Sequence, residues 1–137
     1  MGVYNCETTL SEAIDSLLSQ TFTDWQLVMC DDGSVDRTAS IAKEYADSNS
    51  NITFIFNDKN LGLAATLNHC LEYVNTPYTA RMDGDDICSP VRFEQQLKFL
   101  KENPNYAVVS TAMHLFDENG VFGRVTPKLK PSKIDFI

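Results

Sequence analysis

The chain has 137 residues, of which 43% are hydrophobic and 22% charged, and its formal net charge is −8. The length fits one domain of ordinary size, and this near-average composition excludes wholesale disorder. Apolar runs are too short for a membrane span, and no basic segment followed by an apolar one indicates a secretory signal. The negative charge argues against a nucleic-acid backbone or an anionic membrane as the main partner, so an anionic ligand would need a cation beside it.

The spacing of apolar residues in the first half of the chain alternates between strand and helix periods. Only residues 1–4 are available for a first strand, and a helical stripe begins at Leu10. A short apolar run over 25–30 predicts a second, buried strand, and a second helical stripe begins at Thr38. The β-branched and aromatic residues 52–56 predict a third strand.

The second half continues the alternation. A third helix follows Gly62, residues 78–82 predict a fourth strand, and Pro90 suits the first position of a fourth helix. Residues 106–116 predict a fifth strand, with a turn at 117–120 leading into a short apolar pair. This order predicts an α/β fold with a mostly parallel sheet and helices on both faces. The third helix is predicted to carry an apolar stripe of Leu63, Leu67, Leu71 and Val74.

Three loops that follow predicted strands have unusual polar content. They are the Asp32 loop (31–34, Asp-Asp-Gly-Ser), the Asn60 loop (60–62, Asn-Leu-Gly) and the acidic loop (83–86, Asp-Gly-Asp-Asp). In an open α/β sheet, ligands bind beyond the carboxyl ends of the strands. We therefore expect the three loops to lie side by side at one edge of the sheet.

The carboxylates of the acidic loop should repel one another, so that at least one of their pKa values rises. A hard divalent cation such as Mg²⁺ or Mn²⁺ would relieve the repulsion, because it prefers oxygen ligands. The alternative is a solvated turn whose aspartates cap a helix. In the Asp32 loop a carboxylate could bind a base or sugar, although a plain strand-to-helix turn is the alternative there. No Gly-x-Gly-x-x-Gly or Walker sequence is present.

The cysteines and histidines do not have the spacing of metal ligands. No Cys-x-x-Cys pair occurs, and neither His69 nor His114 has a ligand-like neighbour, so a zinc site is not expected. Cys30 lies in an apolar run and is predicted to be buried. Unpatterned cysteines fit a reducing cytosol, and we expect a cytoplasmic protein. The four cysteines are Cys6, Cys30, Cys70 and Cys88.

Taken together, these residues resemble the nucleotide-binding part of a family 2 glycosyltransferase. The resemblance implies a Rossmann-like GT-A fold in which residues 1–125 bind the nucleotide-sugar donor. Residues 126–137 would then be a loop-like tail leading into an acceptor part outside this chain, so we expect a piece of a larger protein. The motifs that carry the resemblance are Val3-Tyr4-Asn5, Asp31-Asp32-Gly33-Ser34, Asn60-Leu61-Gly62-Leu63-Ala64, Leu67-Asn68, Ala80 to Ile87, and Pro90-x-Arg92-x-x-x-Gln96.

The resemblance also implies roles for individual residues. Asp32 would bond the uracil edge, Asp83 would face ribose and metal, and Asp85 would hold Mn²⁺ or Mg²⁺ on the diphosphate, completing an Asp-x-Asp motif. Arg81 would neutralise the acidic loop, while Arg92, with Gln96, would tie the fourth helix to that loop. The nucleotide-binding residues implied in this way are Val3, Tyr4, Asn5, Glu7, Asp32, Asn60, Gly62, Asp83 and Gly84.

The reaction implied is inverting transfer of a sugar from a UDP-sugar to a hydroxyl of a carbohydrate or lipid-linked acceptor, in polysaccharide or glycolipid synthesis. The general base is expected beyond Ile137, so this chain should bind a uridine nucleotide with Mn²⁺ but transfer little sugar. For the whole protein the resemblance implies a cytoplasmic place, peripheral at the inner face of the membrane. Two departures are Gly2, where many members have Pro, and Leu67, where Arg is frequent.

A receiver domain of bacterial signalling is the alternative that the residues leave open. Such a domain has an acidic pair, a later phosphoacceptor aspartate and a Lys-Pro, which Asp31-Asp32, Asp83 and Lys130-Pro131 could supply. Against it, the acidic pair follows the second predicted strand rather than the first. Binding of a phosphoryl analogue at Asp83 would favour the receiver, and stabilisation by UDP would favour the transferase.

Overall fold

The computed structural model of the protein describes residues 1–126, which fall into two compact units, residues 1–97 and a unit that begins at Lys98. The predicted positions of the first three strands and of all four helices are confirmed to within a few residues. Among the described residues no helix is both long and apolar enough to cross a membrane. In chain order the elements are β1 (Gly2–Val3), α1 (Leu10–Leu18), β2 (Leu27–Asp31), α2 (Thr38–Ser48), β3 (Ile52–Phe56), α3 (Leu63–Leu71), α4 (Arg92–Glu102), β4 (Met113–Asp117) and β5 (Gly120–Val125).

A parallel sheet with the order β1-β2-β3 forms the centre of the first unit. Helix α3 packs on β1 and β2, whereas α2 packs on β2 and β3. The register pairs Val3 with Asp31 and Asp31 with Phe56, which are the last residues of the three strands. Because all three strands end at the same level, the segments that follow them begin at one edge of the sheet. This confirms the expected placement of the Asp32 loop and the Asn60 loop at one edge of the sheet.

The hydrophobic core lies between the sheet and its helices. Helix α1 is a main contributor because its apolar side chains recur at helical spacing on one face, and β2 adds the fully buried Met29. Core burial of this kind is the principal favourable term in folding. The core cluster consists of Met1, Val3, Leu10, Ala13, Ile14, Leu17, Leu27, Met29, Ala42, Ile52, Met82 and Cys88.

Gln20 joins the end of α1 to the start of α4. Its side chain is 4% exposed, and its amide nitrogen donates to the carbonyl of Ser89 at 2.8 Å. Its amide oxygen accepts from the backbone N–H of Phe93 at 3.1 Å. A buried amide whose donor and acceptor are both used fixes the relative position of the two segments that it bridges.

The predicted fourth strand is wrong, because residues 78–82 form no strand. Its neighbour would have been β1, which is only two residues long and offers few backbone groups for a ladder. The segment is held instead by its side chains. Met82 is buried in the core, and the carbonyl of Arg81 accepts a hydrogen bond from Arg92 at 2.8 Å.

The predicted apolar stripe of α3 is also wrong. The side chains that α3 buries are Thr66 and Cys70, while Leu63 and Leu71 are about half exposed. Val74 lies beyond the end of the helix. A threonine can occupy the buried face because its hydroxyl donates to the carbonyl of Gly62 at 3.1 Å, which removes the cost of burying a polar group.

Helix α4 begins at Arg92, two residues after the predicted start, because the N–H of Arg92 bonds to Ser89 three residues back in a tight turn. The second unit contains the antiparallel hairpin of β4 and β5, with its turn at Asp117–Gly120 as predicted. The predicted strand over 106–116 is confirmed only from Met113. The Tyr106 ring packs on Phe99 instead, with ring centroids 5.6 Å apart. Lys130 and Pro131 lie outside the described residues, as does most of the predicted 126–137 tail.

Candidate functional site

The loop after β1 is bonded to the Asp32 loop through Asn5. The Asn5 N–H donates to the hydroxyl of Ser34 at 2.9 Å, and the Asn5 side-chain oxygen accepts from the N–H of Val35 at 3.0 Å. Asn5 has a φ of 48°, a left-handed conformation that asparagine adopts more readily than most residues. The backbone turn at Asn5 is therefore fixed by its contacts with the next loop.

Glu7 contacts the residues between the Asp32 loop and α2. Its carboxylate accepts from the N–H of Arg37 at 2.9 Å, and its own N–H donates to Asp36 at 3.2 Å. The other oxygen of Asp36 accepts from the N–H of Thr38 at 2.9 Å. Carboxylates bonded to the free N–H groups of a helix start are stabilised there. Glu7 thus has a structural partner at the helix, in addition to the nucleotide role that the sequence predicts for it.

Asp32 connects the Asp32 loop to the Asn60 loop. One carboxylate oxygen accepts from the N–H of Leu61 at 2.9 Å and from the amide of Asn57 at 2.8 Å, and the other accepts from the N–H of Gly62 at 2.9 Å. Burial raises the pKa of the Asp32 carboxyl, but the surrounding hydrogen-bond donors outweigh burial and hold that pKa below its ordinary value. Asp32 is therefore an ionised, buried anchor for the Asn60 loop.

Gly33 lets these two loops approach closely. Its φ is 75°, and a β-carbon at this position would lie 2.9 Å from the backbone nitrogen of Asn60 and 2.9 Å from the carbonyl carbon of Lys59. Neither backbone atom can move aside as a flexible side chain could. Both the backbone conformation and the packing therefore require glycine here.

Asp31 carries an unused acceptor at the edge of the sheet. One of its oxygens accepts from the N–H of Ser34 at 3.0 Å, but the buried Oδ1 has no hydrogen-bond partner among the described residues. The side chain is only 4% exposed. A buried polar atom without a partner is rare in folded proteins, so Asp31 has an acceptor that the described residues leave unused.

The acidic loop packs through Gly84 against the end of β1 and the loop that follows it. A β-carbon there would lie 3.0 Å from the Cys6 sulfur and 3.1 Å from a methyl of Val3, so a side chain would separate the two loops. The carbonyl of Gly84 also accepts from the hydroxyl of Thr9 at 3.0 Å. The acidic loop thus joins the three other polar segments in one region, as the sequence predicts for the edge of the sheet.

The carboxylates of the acidic loop differ in their partners. Arg81 donates to both oxygens of Asp83, at 2.7 and 2.8 Å, whereas no hydrogen bond within residues 1–126 involves the exposed side chain of Asp85. Burial, with the charges of Asp83 and Asp85, raises the pKa of the Asp86 carboxyl. The charges of Asp83 and Asp85 act on Asp86 in the direction of the predicted repulsion, and Arg81 neutralises one carboxylate as expected.

The donor atoms of the acidic loop fit a hard divalent cation, because all of them are carboxylate oxygens and their repulsion is only partly relieved. Within the described part of the chain, no group of three or more histidine, cysteine, aspartate or glutamate side chains is arranged to hold a metal. A cation here would therefore take one or two carboxylates and complete its shell with water and ligand oxygens. This is the usual way in which Mg²⁺ binds beside phosphates.

The remaining predicted residues lie at the same edge with different exposures. Val3 is buried, and Tyr4 next to it is 48% exposed. Asn60 accepts from the N–H of Gly62 at 3.1 Å, and Gly62 adopts a φ of 85° with no atom within 4 Å of a β-carbon placed there. Arg92 on α4 donates to the carbonyl of Arg81, so the tie from α4 is made two residues before the acidic loop rather than to the loop itself. No side-chain hydrogen bond of Gln96 occurs in residues 1–126.

Sequence reasoning missed three polar residues that support this region. Asn57 and Thr66 are buried beside Asp32, and Thr38 is fully buried, accepting from the N–H of Cys6 at 2.8 Å. Asn57 directly follows β3, so its position at a strand end was a usable signal. Thr38 opens the helical stripe predicted for α2, so its burial followed from that periodicity, although no role at the site was predicted for it. Thr66 had no such signal, because it lies within a helix where polar residues are ordinarily exposed.

The chain matches Glycosyl transferase family 2 over residues 1–136. It belongs to this family. The match confirms the resemblance that the polar motifs indicate, and no comparison supports the alternative, a receiver domain.

Several relatives share the family. The chain is 50% identical over 131 residues to EpsE of Bacillus subtilis (strain 168), a glycosyltransferase by name, covering 94% of this chain and 47% of EpsE. It is 32% identical over 136 residues to WfgD of Escherichia coli, named as a UDP-Glc:α-D-GlcNAc-diphosphoundecaprenol β-1,3-glucosyltransferase, covering 99% of this chain and 51% of WfgD. The chain thus spans about half the length of these relatives.

Solved structures of glycosyltransferases share the fold. S. aureus TarS in complex with UDP-GlcNAc aligns with a TM-score of 0.70 at 22% identity, over 87% of this chain and 40% of that chain. The mannosyltransferase PcManGT from Pyrobaculum calidifontis, in complex with GDP-Man and Mn²⁺, aligns with a TM-score of 0.68 at 21% identity, over 72% of this chain and 30% of that chain. These alignments confirm the GT-A fold class expected from the sequence.

Proposed function

We propose that this chain binds the nucleoside diphosphate of a UDP-sugar together with Mn²⁺ or Mg²⁺, as the donor-binding part of a glycosyltransferase. The observation that carries the proposal is the convergence of four polar segments at the carboxyl edge of the sheet. At this edge the Asp32 and Asn60 loops are bonded to each other without a ligand, while in the acidic loop Arg81 balances Asp83 and leaves the charge of Asp85 exposed. Such an edge is the usual ligand site of an open α/β sheet.

On the base side, Asp32 and Asp31 would accept hydrogen bonds from an N–H group of the base or a hydroxyl of the ribose. A carboxylate offers about four acceptor positions, and Asp32 uses three of them within the chain. The unpaired Oδ1 of Asp31 is a second acceptor. Tyr4 and Asn5 would flank the nucleotide, with the half-exposed Tyr4 ring available for stacking on a base.

On the phosphate side, Asp85 and Asp83 would hold the cation. The net charge of −8 makes a direct approach of a diphosphate unfavourable, and a divalent cation between the two reverses the local sign. Arg81 would leave the Asp83 carboxylate when the cation arrives. Bound there, the cation would offset the charge that grows on the leaving diphosphate during sugar transfer.

The transfer itself would be an inverting displacement by a hydroxyl of a carbohydrate or lipid-linked acceptor. No residue of this chain is assigned as the general base, and we place that base in the part of the relatives that the chain does not span. The name of WfgD supports a UDP-sugar donor and a lipid-linked acceptor. We infer a role in polysaccharide or glycolipid synthesis at the cytoplasmic side of the membrane.

Thermal unfolding with a panel of ligands tests this function. UDP with Mn²⁺ should raise the midpoint of unfolding by several degrees, since saturation at about 100 times the dissociation constant adds roughly 2.7 kcal/mol. Asp85→Ala should abolish the shift. The matched control is Asp24→Ala, which removes an exposed carboxylate before β2, at the opposite end of that strand.

The same panel of ligands tests which nucleotide base is bound and whether the chain binds a sugar donor or accepts a phosphoryl group. A larger shift with GDP than with UDP would contradict the uridine assignment. A shift with the phosphoryl analogue beryllium fluoride that is lost in Asp83→Ala, without any shift from UDP, would contradict donor binding altogether.

A further inference from the structure

Behind Asp32 lies a line of hydrogen-bonded side chains that the proposed donor site does not use directly. His69 on α3 lies with its Nδ1 2.8 Å from the side-chain oxygen of Asn57, and the amide nitrogen of Asn57 lies 2.8 Å from Asp32. Asn57 is 8% exposed and Asp32 is 3% exposed. The line therefore runs through the protein interior to the carboxylate that anchors the Asn60 loop.

The direction of each hydrogen bond in this line follows from Asp32. An ionised carboxylate only accepts, so the Asn57 atom facing it must be the NH₂ group. That orientation leaves the Asn57 oxygen facing His69, so Nδ1 of His69 must carry a proton and donate. Hydrogen positions are assigned from the network in this way, and here only one assignment leaves every contact favourable.

Cys30 does not compete for this proton. Its sulfur is 3.7 Å from Nδ1 of His69, and burial raises the pKa of the Cys30 thiol to about 12, so the sulfur stays protonated and neutral. A neutral sulfur is a weak acceptor compared with an amide oxygen. The His69 proton is thus directed to Asn57.

Asn57 also supports the Asn60 loop through Thr66. Its NH₂ group donates to the hydroxyl of Thr66 at 3.1 Å, and that hydroxyl donates to the carbonyl of Gly62. Gly62 is therefore bonded from both sides, by its N–H to Asp32 and by its carbonyl to Thr66. Loss of the Asn57 orientation would loosen both bonds at once.

We propose that His69 and Asn57 are positioning residues that hold Asp32 and the Asn60 loop in the geometry that receives the donor nucleotide. The proposal rests on the nucleotide-binding function proposed above. Neither residue need touch the ligand. His69 fixes the amide of Asn57, and Asn57 fixes Asp32, Thr66 and, through them, the backbone of Gly62.

A set of histidine variants tests the proposal. His69→Leu removes the donor, whereas His69→Asn keeps a side-chain N–H close to the place of Nδ1. His114→Leu is the matched control, because His114 is an exposed histidine on β4 in the second unit. The first measurement is amide hydrogen exchange at Leu61 and Gly62 in the nucleotide-free chain, which does not depend on donor binding.

In His69→Leu both exchange rates should rise about fivefold, as expected for the loss of one hydrogen bond of ordinary net strength. His69→Asn should restore them and His114→Leu should leave them unchanged. Unchanged rates in His69→Leu, or no rescue by His69→Asn, would overturn the proposal. A nitrogen NMR spectrum with an unprotonated Nδ1 at His69 in the wild-type chain would overturn it independently.

The second measurement is the affinity for UDP with Mn²⁺, which should fall by a similar factor in His69→Leu and recover in His69→Asn. A wild-type chain that binds no UDP, but shows the expected exchange pattern, would overturn donor binding while supporting the network. An affinity unchanged in His69→Leu despite faster exchange would overturn the positioning role.

Discussion

The Asp32 loop and the acidic loop both carry neighbouring aspartates at the same sheet edge, yet their surroundings are opposite. Asp32 is buried and bonded to two backbone N–H groups and an amide, and its pKa is lowered. Asp85 is exposed, and the pKa of the neighbouring Asp86 is raised by burial and by the charges of its neighbours. The Asp32 carboxylate already has three donors within the chain, whereas the acidic loop, in which Arg81 pairs with Asp83, keeps an excess of negative charge that a cation would balance.

We expect the largest loss of stability from a side chain inserted between the Asp32 and Asn60 loops. Gly33→Ala adds a β-carbon 2.9 Å from backbone atoms and forces a left-handed alanine. We expect a loss of about 3 kcal/mol in the free energy of unfolding, of which backbone strain supplies about 1–2 kcal/mol. Denaturant titration measures it.

Gly62→Ala is the control for that experiment, because Gly62 also has a positive φ but has open space around its α-carbon. It should show the strain without the collision, a loss of about 1–2 kcal/mol. Equal losses in the two variants would mean that the close approach of the loops is not maintained in solution.

Replacing one carboxylate with an amide should lower the stability of the protein much more in the Asp32 loop than in the acidic loop. Asp32→Asn places a donor or a weaker acceptor against buried N–H groups, and we expect a loss of about 2 kcal/mol. Asp85→Asn should change stability by less than about 0.5 kcal/mol, because exposed substitutions away from special contacts do little. A loss in Asp85→Asn as large as in Asp32→Asn would contradict the contrast.

The pH dependence of that loss follows from the lowered pKa of Asp32. A carboxyl whose pKa is lower in the folded state stabilises the protein above its unfolded pKa and loses this contribution as pH falls through its folded pKa. The stability difference between wild type and Asp32→Asn should therefore be full near pH 7 and shrink below about pH 4. Urea titrations at several pH values check this. A difference that grows on acidification would be contrary to it.

The smallest effect concerns the ion pair of Arg81 with Asp83. Arg81→Gln should change the unfolding free energy by less than about 1 kcal/mol, since the pair is partly exposed. The same variant should bind Mn²⁺ several-fold more tightly, because Asp83 is no longer occupied. Titration calorimetry measures the Mn²⁺ binding. The control is Lys43→Gln, which breaks the exposed ion pair with Asp47. Weaker Mn²⁺ binding in Arg81→Gln would assign Arg81 a different role.

The sequence predicted the contrast only in part. The positions of the Asp32 and Asn60 loops followed from the alternation of elements, because parallel strands end at one edge. The acidic loop packs beside Val3 although no strand precedes it, and the repulsion expected within it followed from its composition. The partners of Asp32 could not be predicted, since Asn57, Leu61 and Gly62 are brought to it by packing across 25 to 30 positions of the chain.

The errors have a similar cause. The fourth strand was predicted from its place between a proline and an acidic turn, but strand formation depends on a neighbour, and β1 is only two residues long. In α3, periodicity alone favoured the leucines for the buried face. The hydrogen bonds of Thr66 and the contact of Cys70 with the carbonyl of Met1 turn a neighbouring face of the helix inward instead.

The most direct test of the account is a calorimetric titration of UDP into the chain, in Mn²⁺ and again in EDTA. We predict binding in Mn²⁺, no measurable binding in EDTA, and loss of the Mn²⁺-dependent binding in Asp85→Ala. Equal affinity in Mn²⁺ and EDTA would contradict the claim that the acidic loop needs a cation to receive the diphosphate.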